Sequence, residues 1–119
     1  MRRAILADNS CMKPTAYLVI TTVPDEERAQ HLALMAVERG FAACAQVQSP
    51  CQSFYWWDDK VQQDQEFPVH LKTNADKLAV LEEFIKNHHP YDVPQIIAIA
   101  IDHLENQYGN WLNEELKKR

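Results

Sequence analysis

Between residues 42 and 73 the sequence holds two long strand-like stretches, 42–57 and 60–73, separated only by Asp58-Asp59. A two-residue connection between runs of that kind reads as a β-hairpin. Gly fits best at the second turn position, but Asp tolerates positive φ better than most residues. Along the second stretch Val61, Phe67, Val69 and Leu71 fall on one face, and Gln62, Asp64, Glu66, His70 and Lys72 on the other. Taken as one straight strand, 42–57 would run about 53 Å. A compact chain of this length has a radius of gyration of only about 13–14 Å. Either Pro50 breaks the strand or the hairpin tip projects beyond the body, and the reading favours both. Pro50 and Pro68 have no N–H for a ladder, so each marks a bulge or an edge. The tip carries Phe54, Tyr55, Trp56 and Trp57. An isolated ribbon is marginal in water, and four aromatics on it form a large apolar patch. Another copy of the chain can cover them by edge-strand pairing, or the C-terminal helix with Trp111 can fold back over them. Self-association is the preferred reading.

The rest of the chain supplies the elements around this hairpin. Residues 1–15 lack periodicity and read as a loose tail ahead of a single domain, 16–119. AYLVIT, at 16–21, is a buried strand. TVPDEE, at 22–27, starts a helix with Pro24 near its first turn and acids where the dipole favours them. Ala29, Leu32, Ala33, Ala36 and Val37 form its inner face, and Gly40 is placed as a left-handed stop. TNAD, at 73–76, resembles a shortened capping box. It opens a helix with Leu78, Leu81, Phe84 and Ile85 inward and Glu82, Glu83 and Lys86 outward, which Pro90 ends. Residues 94–101 form a strand apolar on both faces, expected to be central. A last helix, about 105–118, is expected to bury Tyr108, Trp111, Leu112 and Leu116. The order βαββαβ plus a helix is a ferredoxin-like α+β arrangement, with helices over one face of a mainly antiparallel sheet.

Composition removes several functions. Seventeen acids against twelve bases leave a net charge of −5. No basic cluster offers a surface for nucleic acid or for an anionic membrane. The longest apolar run, 96–101, is far too short to span a bilayer. Arg2-Arg3 and the following AILA begin like a signal peptide, but Asp8 and Asn9 cut it off, so a cytoplasmic chain is expected. Cys11, Cys44 and Cys51 are an odd number without CxxC spacing, neither a disulfide framework nor a zinc site. With only two glycines, phosphate-cradling loops are nearly excluded.

His88 and His89 are the residues most open to a chemical reading. His88 lies four residues after Phe84 and three after Ile85, on the apolar face of its helix. It can hydrogen-bond the last carbonyls and favour the negative end of the dipole. Alternatively, Pro90 unwinds the chain at His89 so that the two imidazoles approach, and such a pair suits copper, zinc or nickel, copper(II) tightest. A nucleophilic Cys44 with either histidine as base is conceivable, but an apolar strand keeps a thiol inert. Asp64, Glu66 and Asp92 could supply carboxylates. Tyr91 and Asp92 are held rigidly between two prolines.

Six blocks then match one family in order and spacing: TTVPDEE (21–27), RGFAACAQV (39–47), FYWWDDK (54–60), LKT (71–73), HHPYDVPQIIAI (88–99) and YGNWL (108–112). The chain resembles the CutA family, the divalent-cation tolerance proteins. The resemblance implies a ferredoxin-like fold similar to PII-type signalling proteins, and an intertwined homotrimer in which long hairpins extend neighbouring sheets. It implies a non-enzymatic role in tolerance of divalent ions, with copper bound in some members. Their ligands correspond to His88 and His89 plus a first-strand cysteine, where this chain has Thr21. Thr is a poor ligand for a soft metal, so the implied site is weaker or completed by water or another subunit. Asp59 replaces the usual turn glycine, and Asp92 stands where Glu is common. Trp57, Glu66, Lys72, Tyr91 and Trp111 match positions the family places near clefts between subunits. The competing implication is a small-molecule sensor or signalling module using those clefts.

Overall fold

The computed structural model describes residues 16–119; the N-terminal tail read from the sequence, with Cys11, lies outside them. Strand β1 (Ala16–Val23) is followed by α1 (Glu26–Glu38), β2 (Cys44–Val47), β3 (Cys51–Trp57), β4 (Lys60–Asn74), α2 (Leu78–His88), β5 (Ile97–Ala100) and α3 (Asn106–Lys118). The sheet order is β2–β4–β1–β5, and β3 pairs with the distal half of β4. Every pairing is antiparallel. This is the ferredoxin-like arrangement expected, with the hairpin extended.

Residues of β1, β2 and β4 that point to one side close the core with α1 and α2: Val19, Val23, Val69 and Leu71 against Ala29, Leu32, Ala36, Leu81, Phe84 and Ile85. Pro24 precedes the first helix rather than sitting within it. Asp25 is the cap, its carboxylate accepting the Arg28 N–H at 2.8 Å. Gly40 takes φ +75°, and a Cβ there would lie 2.2 Å from Arg119 Cβ, so the stop requires glycine twice over. The shortened capping box does not form. The α2 N-cap is Lys77, which makes no side-chain cap, and Asn74 Oδ1 accepts the Lys77 N–H instead. β4 runs one residue further than expected, to Asn74, because the turn starts from that asparagine.

Stretch 42–57 is two strands, as Pro50 required. Val47 pairs with Val69 and Cys51 with Glu66, so Gln48, Ser49 and Pro50 oppose only Phe67 and Pro68. That one-residue excess is a bulge. Pro68 sits on an inner strand, yet its side of the ladder faces the bulge, where the Gln48 N–H reaches the Pro68 carbonyl at 2.9 Å. The missing N–H therefore leaves no partner stranded. Beyond the bulge the hairpin projects. The described chain spans 56 × 32 × 23 Å with a radius of gyration of 16.6 Å. Asp58 and Asp59 both adopt positive φ, 56° and 57°, as a two-residue turn of this hand demands.

Two expectations are corrected. Strand β5 is not central: among the described residues it pairs only with β1 and lies at the sheet edge, with Ile97 45% and Ile99 47% exposed. Apolar residues on both faces signal two burying surfaces, and within this chain all four residues of the strand are exposed. Trp111 is not buried by α3. It is 43% exposed and stacks on Tyr108 at 5.5 Å, while Gly109, Leu112 and Leu116 take the enclosed positions of the helix. It does not cover the hairpin, whose Trp56 is 74% exposed. Val61, which shares a face with Phe67, Val69 and Leu71, is exposed, because the core ends before the hairpin does.

Candidate functional site

Helix α2 ends because Pro90 pushes His89 into extended backbone, φ −94° and ψ 139°. The two histidines thereby part. His88 Nδ1–H donates to the Phe84 carbonyl at 3.0 Å, and the ring stacks on Phe84 at 4.4 Å. This is the helix-end role, and it leaves Nε2 without a partner among the described residues. His89 swings to β1, where its Nε2–H donates to the Thr22 carbonyl at 2.7 Å. Its Nδ1 accepts the Tyr91 N–H at 3.1 Å. Both nitrogens are engaged, and the ring is fixed as one neutral tautomer. Burial holds its pKa below the ordinary histidine value, against the opposing pull of the Thr22 carbonyl and Glu66.

Thr21 is beside the residue that receives His89, but successive strand residues face opposite sides. Its side chain is fully buried with Val19 and Val23, and Oγ1 has no hydrogen-bond partner among the described residues. Among the described residues, the three positions that the resemblance associated with copper therefore offer one free nitrogen, His88 Nε2. Among the described residues no three His, Cys, Asp or Glu side chains converge on a metal position. The cleft that His88 borders, about 680 Å³, is also lined by His31, Asp25, Glu27 and Arg28. No sequence argument singled out His31; its eventual nearness to α2 depends on how the helices pack.

The five residues expected at clefts divide into two groups. Trp57, Glu66 and Tyr91 line one cleft of about 680 Å³ between the hairpin and the loop after α2. Glu66, which shares its face with the polar Gln62, Asp64, His70 and Lys72, is only 6% exposed. The Tyr91 O–H donates to its Oε2 at 3.0 Å. Burial first, and then Glu66, push the Tyr91 phenol well above its ordinary range, so it remains a donor. On the same hairpin face Tyr55 O–H donates to Asp64. That contact was legible in principle, since Tyr55 pairs with Gln62 and Asp64 is the next residue on that side.

Lys72 and Trp111 lie elsewhere, both next to Tyr108. Lys72 Nζ donates to Gln46 Oε1 at 3.1 Å and sits 5.9 Å above the Tyr108 ring. Cys44 pairs in register with Lys72. Burial and then this thiol raise the Tyr108 phenol. Cys44 and His89 dock against rows of the sheet four residues apart along β1, Leu18 and Thr22, about 13 Å. The histidines are thus not placed as a base for Cys44.

The sequence profile described as CutA1 divalent ion tolerance protein matches residues 17–115. The chain is 36% identical over 115 residues to the divalent-cation tolerance protein CutA of Citrobacter koseri, covering 95% of this chain and all of that one. It is 42% identical over 101 residues to the protein of the same name from Pyrococcus horikoshii, covering 85% and 98%. Its fold superposes on the crystal structure of CutA1 from the psychrotrophic bacterium Shewanella sp. SIB1 with a TM-score of 0.84 at 33% identity, over 87% of this chain and 96% of that one.

Proposed function

The chain belongs to the CutA1 divalent ion tolerance protein family, and from that premise we propose that it is a non-enzymatic, metal-binding homotrimer with copper as its first ion. The observation that carries the metal contact is His88: Nδ1–H is tied to the Phe84 carbonyl, which leaves the Nε2 lone pair for an ion that favours imidazole. His89 could join only by giving up the Thr22 carbonyl or the Tyr91 N–H. Thr21 could join only by leaving the core. The remaining ligands are therefore water or groups from another copy. Assembly is supported by the aromatic hairpin and by Leu18, Ile20, Ile97 and Ile99, which share the sheet face opposite the core cluster. A Cu²⁺ titration of the wild type, His88→Ala, His89→Ala and the double variant tests this. Binding should vanish with His88→Ala and persist in His89→Ala. Binding that survives in the double variant removes the assignment.

A second reading, a small-molecule sensor, is favoured by the buried Glu66–Tyr91 pair opening onto a cleft with the hairpin.

A further inference from the structure

The five strands carry four charged side chains, all on β4: Lys60, Asp64, Glu66 and Lys72. Lys60 and Asp64 are exposed to water. Glu66 is buried and Lys72 half-buried, and among the described residues neither forms a salt bridge. The Tyr91 O–H satisfies Glu66 Oε2, and no hydrogen bond between described residues engages Oε1. The Lys72 ammonium has three hydrogens to donate and gives one to the neutral Gln46 Oε1. A charge withdrawn from water is disfavoured until an opposite charge joins it.

The two groups cannot serve each other within one chain. Both lie on the sheet face away from the core, where Lys72 pairs in register with Leu18 and His70 with Ile20. Six residues of extended strand hold Glu66 and Lys72 about 20 Å apart. Each charge also stands beside exposed aromatic surface. Tyr55 and Trp57 line the cleft with Glu66, and exposed Trp111 stacks on the Tyr108 ring that Lys72 overlies. Brought together, the two patches would close over an ion pair and displace water from it.

We infer that in the assembled protein the Glu66 carboxylate of one copy pairs with the Lys72 ammonium of the next, whose Tyr108–Trp111 corner enters the cleft between the hairpin and the loop after α2. Each copy offers one of each group, so a closed ring leaves none unpaired. Lys60 is the poorer partner for Glu66, because it stays in water at the hairpin tip beside Asp58 and Asp59. The inference rests on the self-association proposed for the chain and names the contact that fixes its register.

Carbodiimide treatment of the wild-type protein tests it without relying on any variant to fold, since the reagent joins a carboxylate to an amine where the two touch. Peptide mapping should find an amide between Glu66 and Lys72 in covalent multimers. An amide from Glu66 to Lys60, or none at Glu66, overturns the pair. A double-variant cycle read by sedimentation velocity gives an independent measurement. Glu66→Gln keeps an oxygen for Tyr91, and Lys72→Met keeps the length of the side chain. Each should weaken association by roughly thirtyfold or more, and the double variant should be no weaker than the weaker single. Losses that multiply show two independent positions and overturn the pair while the self-association stands. A wild type that remains a single chain at every concentration overturns both.

Discussion

Thr21 and His89 show how one step along a strand separates two chemical roles. Thr21 Oγ1 is enclosed without a partner among the described residues, which costs free energy that an apolar group of the same shape avoids. Thr21→Val should therefore raise stability by about 1–2 kcal/mol, read as a higher urea midpoint with unchanged slope; an unchanged or lower midpoint would mean the hydroxyl is engaged. His89 predicts a pH dependence. Its folded pKa lies below the ordinary 6.5, so on acidification the unfolded chain takes up the proton first. Its contribution is complete above that ordinary value and declines as pH falls towards the folded pKa. Protonating Nδ1 would also set an N–H against the Tyr91 N–H. His89→Gln should flatten the stability curve below about pH 6.5 relative to the wild type; parallel curves would refute the neutral tautomer.

At the scale of elements, the hairpin concentrates both strain and compensation. The turn at Asp58-Asp59 places two side chains in the left-handed region, where residues other than glycine are penalised. Asp59→Gly should stabilise the protein by up to about 1 kcal/mol, measured by chemical denaturation. A loss instead would show that the Asp59 side chain holds the turn. The bulge opposite Pro68 has the opposite logic. Removing one of residues 48–50 would force the Pro68 side of the ladder against a strand that needs a donor there, and should destabilise far more than Asp59→Gly stabilises. At the end of α1, Gly40→Ala should lower the denaturation midpoint, since it adds both a positive-φ penalty and a contact with Arg119.

For the whole molecule, the exposed surface is the main clue. The hairpin aromatics and the edge isoleucines of β5 are exposed large apolar residues, the kind of surface that marks an interaction site. Light scattering should give a mass about three times the 13.8 kDa of one chain. Trp56→Asp should shift it towards one chain while far-ultraviolet circular dichroism keeps its strand and helix content. A monomeric wild type would remove the trimer from the proposal.

The elements were legible because local rules govern them. Periodicity placed the three helices, Pro90 and Gly40 marked two of their ends, and Asp58-Asp59 marked the hairpin tip. Pro50 and Pro68, lacking an N–H, each marked a bulge or an edge, and the structure sets both at one bulge. What the residues around His88 and His89 do was decided only in three dimensions. Extended backbone at His89 sends one ring to the Thr22 carbonyl while helical backbone keeps the other on Phe84. Likewise, Glu66 alternates with polar neighbours as a solvated residue would, and only the fold of the loop after α2 over β4 buries it against Tyr91. Local sequence sets φ, ψ and the face a side chain occupies; whether that face meets water, a carbonyl or a ring depends on segments far away in the chain, brought there by packing.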